Sequence, residues 1–206
     1  MFYMELWIFG AGGHAKIVAD TALKLERYEK IIFHGNGESK IIESISDKFF
    51  LQYNEPISQP NNKIESFIGI GEGVTRKKIY SKFKDHSFCN IISKESTLSN
   101  RYNFEEGIFV GPGAVINIDA HISKHVIVNT NSIIEHDCFI GDFSQIAPGA
   151  VICGGVSLGS NVFVGANSCI NPGVSVCDDV IIGSGSIVIN DISKPGSYVG
   201  IPAKRL

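Results

Sequence analysis

The sequence predicts a small α/β unit followed by a parallel β-helix, and three regularities along the chain support this fold class. The first is an aliphatic or aromatic residue at every sixth position from Ile92 to Val188. The second is a column of mostly small or branched residues four positions later in each repeat. The third is the residue three positions later, which is Gly, Asn or Asp in twelve of fourteen repeats from Gly113 to Asp191.

The six-residue period predicts a solenoid. Gly, Asn and Asp tolerate a positive φ, so one of them in each unit indicates a tight corner. Neither the 3.6-residue period of a helix nor the two-residue period of a strand gives this pattern. Six-residue units with one corner each are typical of very short parallel strands wound into a β-helix. Three units per coil would place residues eighteen apart above one another, about 4.8 Å apart as in any sheet.

The first strand, loop and helix form a candidate phosphate site. Leu6–Phe9 is an apolar strand, and a glycine-rich loop containing Ala11, Gly12 and Gly13 follows it. The next segment, 15–25, carries residues at helical spacing, namely Ile17, Val18, Thr21, Ala22 and Leu25. Loop amides and a helix N-terminus attract phosphate groups. The same residues also suit a tight turn that binds no ligand.

The other elements of the N-terminal unit argue against a dinucleotide enzyme. A second predicted strand at 31–33 is followed by Gly35 and Asn36, where a dinucleotide enzyme would carry an acidic residue for the ribose hydroxyls. A third strand at 66–71 leads into a basic helix at 75–83, whose charges suit a solvated helix face. The unit is too small for a complete dinucleotide-binding fold.

Composition and patterning set the domain limits and the broad class. We expect a domain at 1–88 and a β-helix domain at 89–206, with a tail from Ser193 that leaves the helix. The net charge of −3 does not show the excess of basic residues that is typical of proteins binding nucleic acid or an anionic membrane. No apolar run approaches the roughly 18–20 residues of a spanning helix, and no signal peptide is recognisable. Five cysteines without paired spacing suit a cytoplasmic protein.

The corner around His136 is a candidate catalytic site, because sites are expected where a repeat breaks its own rule. His136 lies between Glu135 and Asp137, and either carboxylate could orient its ring. One coil later, at Gly154, no side chain stands above the imidazole. A histidine beside carboxylates and beneath such a gap suits a general base that a ligand can approach. A solvated corner histidine is the simpler alternative.

A metal site is the less favoured interpretation of the histidines. His121, His125 and His136 could supply three donors to zinc or iron. Their different places within the six-residue unit prevent them from stacking on one edge of one chain. A site shared between chains would be required, and we therefore expect no metal.

Several motifs resemble one group of enzymes over essentially the whole chain. The tail motif Val199–Lys204, together with the unbroken hexads, is similar to the hexapeptide-repeat acyltransferases, which use acetyl-CoA. The motif GAGGHA at 10–15, with segments 70–71, 75–80 and 129–141, narrows the resemblance. Together they resemble the nucleotide-sugar and sialic-acid acetyltransferases, close to the UDP-4-amino-sugar N-acetyltransferases of bacillosamine synthesis.

The resemblance implies a left-handed β-helix that assembles as a homotrimer, with active sites between adjacent subunits. It implies that His136 is the general base and that Asp137 increases its basicity. It implies nucleotide-sugar contacts on the N-terminal unit at Ala11, Gly12, Gly13, Gly35, Asn36 and Gly71. Coenzyme A is expected near Gln145, Gly154, Ala166 and Ser184.

Two departures from the resembled enzymes bear on the function. Gln145 stands where the bacillosamine enzymes carry a second histidine that contacts acetyl-CoA, and glutamine can still donate a hydrogen bond. Gly35 and Asn36 stand where those enzymes carry paired aspartates, so UDP-, GDP- or TDP-sugars and CMP-linked or free sialic acid all stay open.

The expected function is transfer of acetyl from acetyl-CoA to the amine of a nucleotide-linked 4-amino sugar in bacterial surface-glycan biosynthesis, with UDP favoured. Sialic-acid O-acetylation is the first alternative. A γ-type carbonic anhydrase, which shares the solenoid, and a non-catalytic nucleotide-sugar sensor are alternatives from other classes.

Overall fold

The computed structural model describes residues 4–35, 49–52 and 63–206. The chain divides into two compact units, Met1–Ile91 and Ile92–Leu206. Within the described residues, no helix has the length and apolar character needed to cross a membrane.

The N-terminal unit is built on a parallel sheet flanked by helices. Its described elements are β1 (Met4–Phe9), α1 (Gly13–Lys24), β2 (Tyr28–His34), β3 (Phe49–Gln52), β4 (Ile64–Ile68) and α2 (Gly73–Lys82). The strand order is β3-β2-β1-β4, and every pair is parallel. The predicted α/β unit is confirmed, including its strand–loop–helix start.

Helix α1 packs one apolar face against the sheet. Its buried residues follow the helical spacing of one face, namely Ala15, Val18, Ala19, Thr21 and Ala22. Gly69 is required here, since a Cβ at this position would lie 2.6 Å from Cγ2 of Ile8 and 2.9 Å from Ala15. Ile17, another of the residues noted at helical spacing, lies off this buried stripe and is exposed.

The C-terminal unit is a solenoid with three flat faces of short strands. The first face contains β6 (Thr97–Leu98), β9 (Val115–Ile116), β12 (Ile133–Ile134), β15 (Val151–Ile152), β18 (Cys169–Ile170) and β21 (Ile187–Val188). The second face contains β7 (Asn103–Phe104), β10 (His121–Ile122), β13 (Phe139–Ile140), β16 (Ser157–Leu158) and β19 (Ser175–Val176). The third face contains β5 (Ile91–Ile92), β8 (Phe109–Val110), β11 (Ile127–Val128), β14 (Gln145–Ile146), β17 (Phe163–Val164), β20 (Val180–Ile182), β22 (Gly196–Val199) and β23 (Lys204–Arg205).

The register of the solenoid follows the predicted coil of eighteen residues. On the second face, for example, His121 pairs with Phe139, and Phe139 pairs with Ser157, all in parallel. The six-residue column fills the interior, because each of its members from Val110 to Val188 is at most 3% exposed. The small-residue column is buried as well. Its hydroxyls bind backbone carbonyl oxygens, as Ser144 Oγ does with Gly159 O at 2.9 Å, so these buried polar groups are satisfied.

The predicted corners have positive φ at all thirteen positions from Gly113 to Gly185. They include His125 at 54° and Phe143 at 59°, although such residues adopt this conformation at a cost. The two rings stack one coil apart, with centroids 5.4 Å apart and planes 6° apart. This buried stacking stabilises the unusual backbone. Asp191 does not have a positive φ, because the repeat ends there.

The tail does not leave the solenoid, so that prediction was wrong. Strand β22 pairs in parallel with β20, joining Ile182 to Tyr198 at a spacing of sixteen residues. Strand β23 then pairs antiparallel with β22. The open edge of β20 offers backbone donors and acceptors, and pairing satisfies them whether or not the six-residue period continues.

Candidate active site

His136 and Asp137 form a hydrogen-bonded pair at the corner between β12 and β13. Nδ1 of His136 lies 2.8 Å from Oδ2 of Asp137, and the positive φ of Asp137 (58°) sets this corner. An ionised carboxylate only accepts hydrogen bonds, so Nδ1 carries the proton and Nε2 of the neutral ring carries the lone pair. The hydrogen bond to Asp137 raises the pKa of His136, and the charges of Asp137 and Glu135 add to this effect.

The glycine gap predicted above His136 is present. A Cβ at Gly154 would lie 2.6 Å from both Cε1 and Nε2 of the imidazole. The N–H of Gly155 donates to the carbonyl oxygen of His136 at 2.9 Å, which holds the two coils together at this corner. The ring therefore occupies space that any side chain at position 154 would need. Because the His136 side chain is 57% exposed, a ligand can reach it.

The second carboxylate beside His136 has another partner. Nδ2 of Asn117, one coil earlier, donates to Oε2 of Glu135 at 2.9 Å. Of the two acids left open by the sequence, Asp137 is therefore the one that orients the ring. Cys138 has the predicted core position: its buried thiol donates to the carbonyl oxygen of Cys153 at 3.1 Å, and burial raises its pKa.

The remaining histidines of the solenoid have separate surroundings. His125 is fully buried beneath Phe143, whereas His121 stacks on Phe139 with ring centroids 5.1 Å apart. Nε2 of His121 lies 3.5 Å from Oε1 of Glu105. In the part of the chain that the structure describes, no group of three His, Cys, Asp or Glu side chains is placed to hold a metal ion.

The residues expected to bind coenzyme A do not gather at one place in a single chain. Gln145 begins β14 on the third face. Ala166 and Ser184 lie eighteen residues apart at the corner that follows the third face. Gly154 lies at a different corner, between the first and second faces, with His136. One chain therefore joins Gly154 to the histidine but leaves the other three residues elsewhere.

The glycine loop lies at the carboxyl end of β1, as predicted. Gly12 is the N-cap of α1, and a Cβ on Gly12 or Gly13 would meet no atom within 4 Å. The space above the helix N-terminus is therefore open. Gly35, at the end of β2, packs against this loop, since its Cβ would lie 3.1 Å from Cβ of Ala11. Asn36 lies outside the described residues.

The loop after β4 forms the other side of this crevice. Gly10 has φ of 116°, and a Cβ there would lie 2.8 Å from Cγ1 of Ile70 and 3.1 Å from the carbonyl oxygen of Gly69. The loops after β1 and β4 are therefore in contact. The strand order reverses between these two strands, and open α/β sheets bind ligands outside the carboxyl ends of strands at such a point. Gly71 belongs to this loop, although the third predicted strand extended to it, because β4 ends at Ile68.

Arg76 corrects the interpretation of the basic run as a solvated helix face. It is 1% exposed, while its neighbour Lys77 is exposed. Nη1 of Arg76 donates to the carbonyl oxygens of Ile70, at 3.1 Å, and Gly71. A buried guanidinium needs such partners. A run of basic residues gives no sign of which member turns inward, so the sequence could not assign Arg76 to this loop.

Comparisons with known proteins agree with both units. The family model described as the PglD N-terminal domain matches residues 5–83. The model described as bacterial transferase hexapeptide (six repeats) matches residues 137–172. Each of the two units thus matches a known family model.

Solved structures resemble the chain along nearly its whole length. The acetyltransferase domain of PglB from Neisseria gonorrhoeae FA1090, in complex with acetyl coenzyme A, is 26% identical with a TM-score of 0.89, covering 99% of this chain and 100% of that chain. PerB from Caulobacter crescentus, in complex with CoA and GDP-perosamine, is 27% identical with a TM-score of 0.86, covering 98% of this chain and 97% of that chain.

A third structure supports the fold alone. WeeI from Acinetobacter baumannii AYE is 22% identical, with a TM-score of 0.86, and the match covers 98% of this chain and 100% of that chain. The resemblance to sugar acetyltransferases expected from the sequence is confirmed by the two family models and by the PglB and PerB structures. The chain therefore has the fold of the left-handed β-helix acetyltransferases, with a match to the PglD N-terminal domain in its N-terminal unit and a match to the hexapeptide repeats in its C-terminal unit.

Proposed function

We propose that the chain is an acetyl-CoA-dependent N-acetyltransferase that acts on the amine of a nucleotide-linked 4-amino sugar, in bacterial surface-glycan biosynthesis. The observation that carries the proposal is the His136 imidazole, oriented by Asp137 at 2.8 Å and lying against Gly154, which has no side chain. The likeness to PglB bound to acetyl-CoA and to PerB bound to CoA and GDP-perosamine supports this reaction class.

The mechanism is direct transfer within a ternary complex. Nε2 of His136 takes a proton from the sugar amine as the nitrogen attacks the thioester carbonyl. A C–N bond forms, the C–S bond breaks, and the coenzyme A thiolate takes the proton from the imidazolium. Asp137 stabilises the imidazolium through Nδ1. The buried, core position of Cys138 argues against a covalent acyl-enzyme.

A backbone N–H at the same corner is the candidate oxyanion donor. The N–H of Gly155 already donates to His136 O, so we assign this role to the N–H of Gly154. A donor of this kind contributes roughly 2.7–4 kcal/mol to transition-state stabilisation in other enzymes. It would act on the carbonyl oxygen of the thioester as the tetrahedral intermediate forms.

The nucleotide sugar is assigned to the crevice at the carboxyl ends of β1 and β4. The proposed contacts are Ala11, Gly12, Gly13, Gly35, Asn36 and Gly71. The open N-terminus of α1 suits a diphosphate, because its N–H groups and dipole favour anions. UDP remains our first choice of nucleotide, and GDP is the second because PerB binds GDP-perosamine.

We also propose a homotrimer with active sites between subunits. In one chain, Ala166 and Ser184 lie at a different corner from His136, and Gln145 lies on the third face. A neighbouring copy would bring these three residues to the histidine, with acetyl-CoA lying between the subunits. No metal is needed in this mechanism. We place the enzyme in the cytoplasm, where acetyl-CoA is available.

The test is acetyl-CoA turnover, measured as free thiol release, against UDP-, GDP- and TDP-linked 4-amino sugars and sialic acid. The matched control for each amino sugar is the same nucleotide sugar with a 4-hydroxyl group. Turnover with an amino sugar and none with its hydroxyl control is expected. Turnover with sialic acid alone would identify an O-acetyltransferase instead. No turnover with any member of the panel would contradict the proposal and favour the carbonic anhydrase or sensor alternatives.

A further inference from the structure

Arg76 is a buried cation in the N-terminal unit, whereas the proposed general base, His136, belongs to the C-terminal unit. It belongs to the first turn of α2, yet its guanidinium reaches back beneath the turn that precedes the helix. There it donates to the carbonyl oxygens of Ile70, at 3.1 Å, and Gly71. Arginine is almost never fully buried without such compensation, because its charge loses water. The free-energy cost of burying this charge points to a functional role for Arg76.

Arg76 and His14 both lie near the N-terminus of α1, but only Arg76 is charged at neutral pH. Burial lowers the pKa of Arg76 only to about 9, so the guanidinium stays protonated at pH 7. His14, in the first turn of α1, has its pKa lowered to about 4 by burial, with the charge of Arg76 adding to the effect. His14 is therefore neutral at pH 7. Of these two side chains only Arg76 is charged at pH 7, and its charge lies against the turn after β4.

The two hydrogen bonds also fix which way the turn presents its amides. In a trans peptide the C=O and the following N–H point in opposite directions. Because the carbonyl groups of Ile70 and Gly71 point to the guanidinium, the N–H groups of Gly71 and Glu72 point away from it. Neither N–H has a backbone acceptor within the described residues. The Glu72 carboxylate accepts a hydrogen bond from the Thr75 hydroxyl, which turns it along the helix.

We propose that Arg76 is a positioning residue of the nucleotide-sugar site, which holds the turn after β4 so that its N–H groups face the substrate diphosphate. Its buried charge further favours the anion. This inference rests on the proposed function, because it assigns a role within the same nucleotide-binding crevice. Arg76 touches no reacting atom, so it should affect substrate binding and leave the chemical step intact.

The test compares three variants of the full chain. Arg76→Met removes both the donors and the charge, whereas Arg76→Lys keeps the charge but ends in a nitrogen one bond closer to the backbone than the Nη1 that binds both carbonyl groups. Lys77→Met removes an exposed charge from the adjacent position and is the matched control. Calorimetric titrations use UDP and GDP, each paired with its uncharged nucleoside, uridine or guanosine. Steady-state kinetics give KM for both substrates and kcat.

Arg76→Met is expected to weaken binding of the preferred nucleoside diphosphate by about tenfold or more, the usual size for a hydrogen-bond system with a charged member. Nucleoside binding, kcat and the KM for acetyl-CoA should be unchanged, and Arg76→Lys should show a smaller loss. Lys77→Met should match the wild type. If Arg76→Met does not fold, nucleoside diphosphate and nucleoside binding are compared in Arg76→Lys instead, and a selective loss of diphosphate binding is again expected.

Two results would overturn the inference. Equal weakening of nucleoside and nucleoside diphosphate would show a general structural role, and unchanged diphosphate binding in a folded variant would show no role. A wild-type protein that binds neither UDP nor GDP would instead contradict the nucleotide assignment in the proposed function, and the inference would fall with it.

Discussion

Oδ2 of Asp137 lies 2.8 Å from Nδ1 of His136, while Glu135, on the other side of the histidine, is bound to Asn117. The effects of Asp137 and Glu135 on His136 can therefore be distinguished by substituting each acid in turn. Both charges raise the pKa of His136, but Asp137 also accepts its hydrogen bond. The histidine must be neutral to act as a base, so activity should fall as pH drops through a His136 pKa above its ordinary value.

Asp137→Asn should therefore shift the acid limb of the kcat/KM profile to lower pH. The substitution removes the carboxylate that favours the imidazolium, which lowers the pKa of His136, and the less basic ring should also reduce kcat by about tenfold or more. Glu135→Gln is the control, and it should shift the limb less because it removes a charge without a hydrogen bond to the ring. Equal shifts, or a shift to higher pH, would contradict the assignment.

Gly154→Ala should displace the His136 ring. The added methyl would lie 2.6 Å from two ring atoms, closer than van der Waals contact permits, so kcat should fall. The melting temperature should fall too, and the same substitution in a His136→Ala background should cost less stability because the clashing ring is absent. Ser157→Ala, on the same coil, is the control. Additive effects of the two substitutions on the melting temperature would show that ring and glycine are not coupled.

The N-terminal unit should lose stability in acid. Burial lowers the pKa of His14 and of His34 to about 4, and it also lowers that of His86. The unfolded chain binds these protons near pH 6.5, so the stabilisation present above that pH is lost as pH falls towards 4. Trp7, the one tryptophan, lies 4.7 Å from the His34 ring and reports on this unit.

Urea unfolding followed by Trp7 fluorescence measures the effect. The midpoint should fall between pH 7 and pH 5, and His34→Phe should reduce that fall because one titrating group is gone. A midpoint that stays constant or rises over this range would contradict the direction of these pKa shifts.

The solenoid was predictable because its period is local. Each six-residue unit encodes its own corner, so even His125 and Phe143 could be placed at corners although neither favours a positive φ. The end of the solenoid was not predictable in this way. Strand β22 pairs at a spacing of sixteen residues, which the period does not contain.

The candidate site was predictable in position but not in detail. His136 and Gly154 could be brought together by counting one coil, since stacking follows the period. The choice between Asp137 and Glu135 depends on a side chain one coil away, Asn117, and no short-range signal reports it. Arg76 is a similar case, because its burial depends on carbonyl groups that the preceding turn directs towards it.

The role of His136 as general base is tested most directly by the kinetics of His136→Ala. Acetyl-CoA binding is measured in parallel, and His121→Ala is the matched histidine control. If His136 is the general base, kcat should fall about 10²-fold or more, the usual contribution of such a group. Acetyl-CoA should still bind, because the substitution removes no proposed coenzyme contact, and His121→Ala should stay active. A His136→Ala protein with nearly full kcat would show that His136 is not the general base.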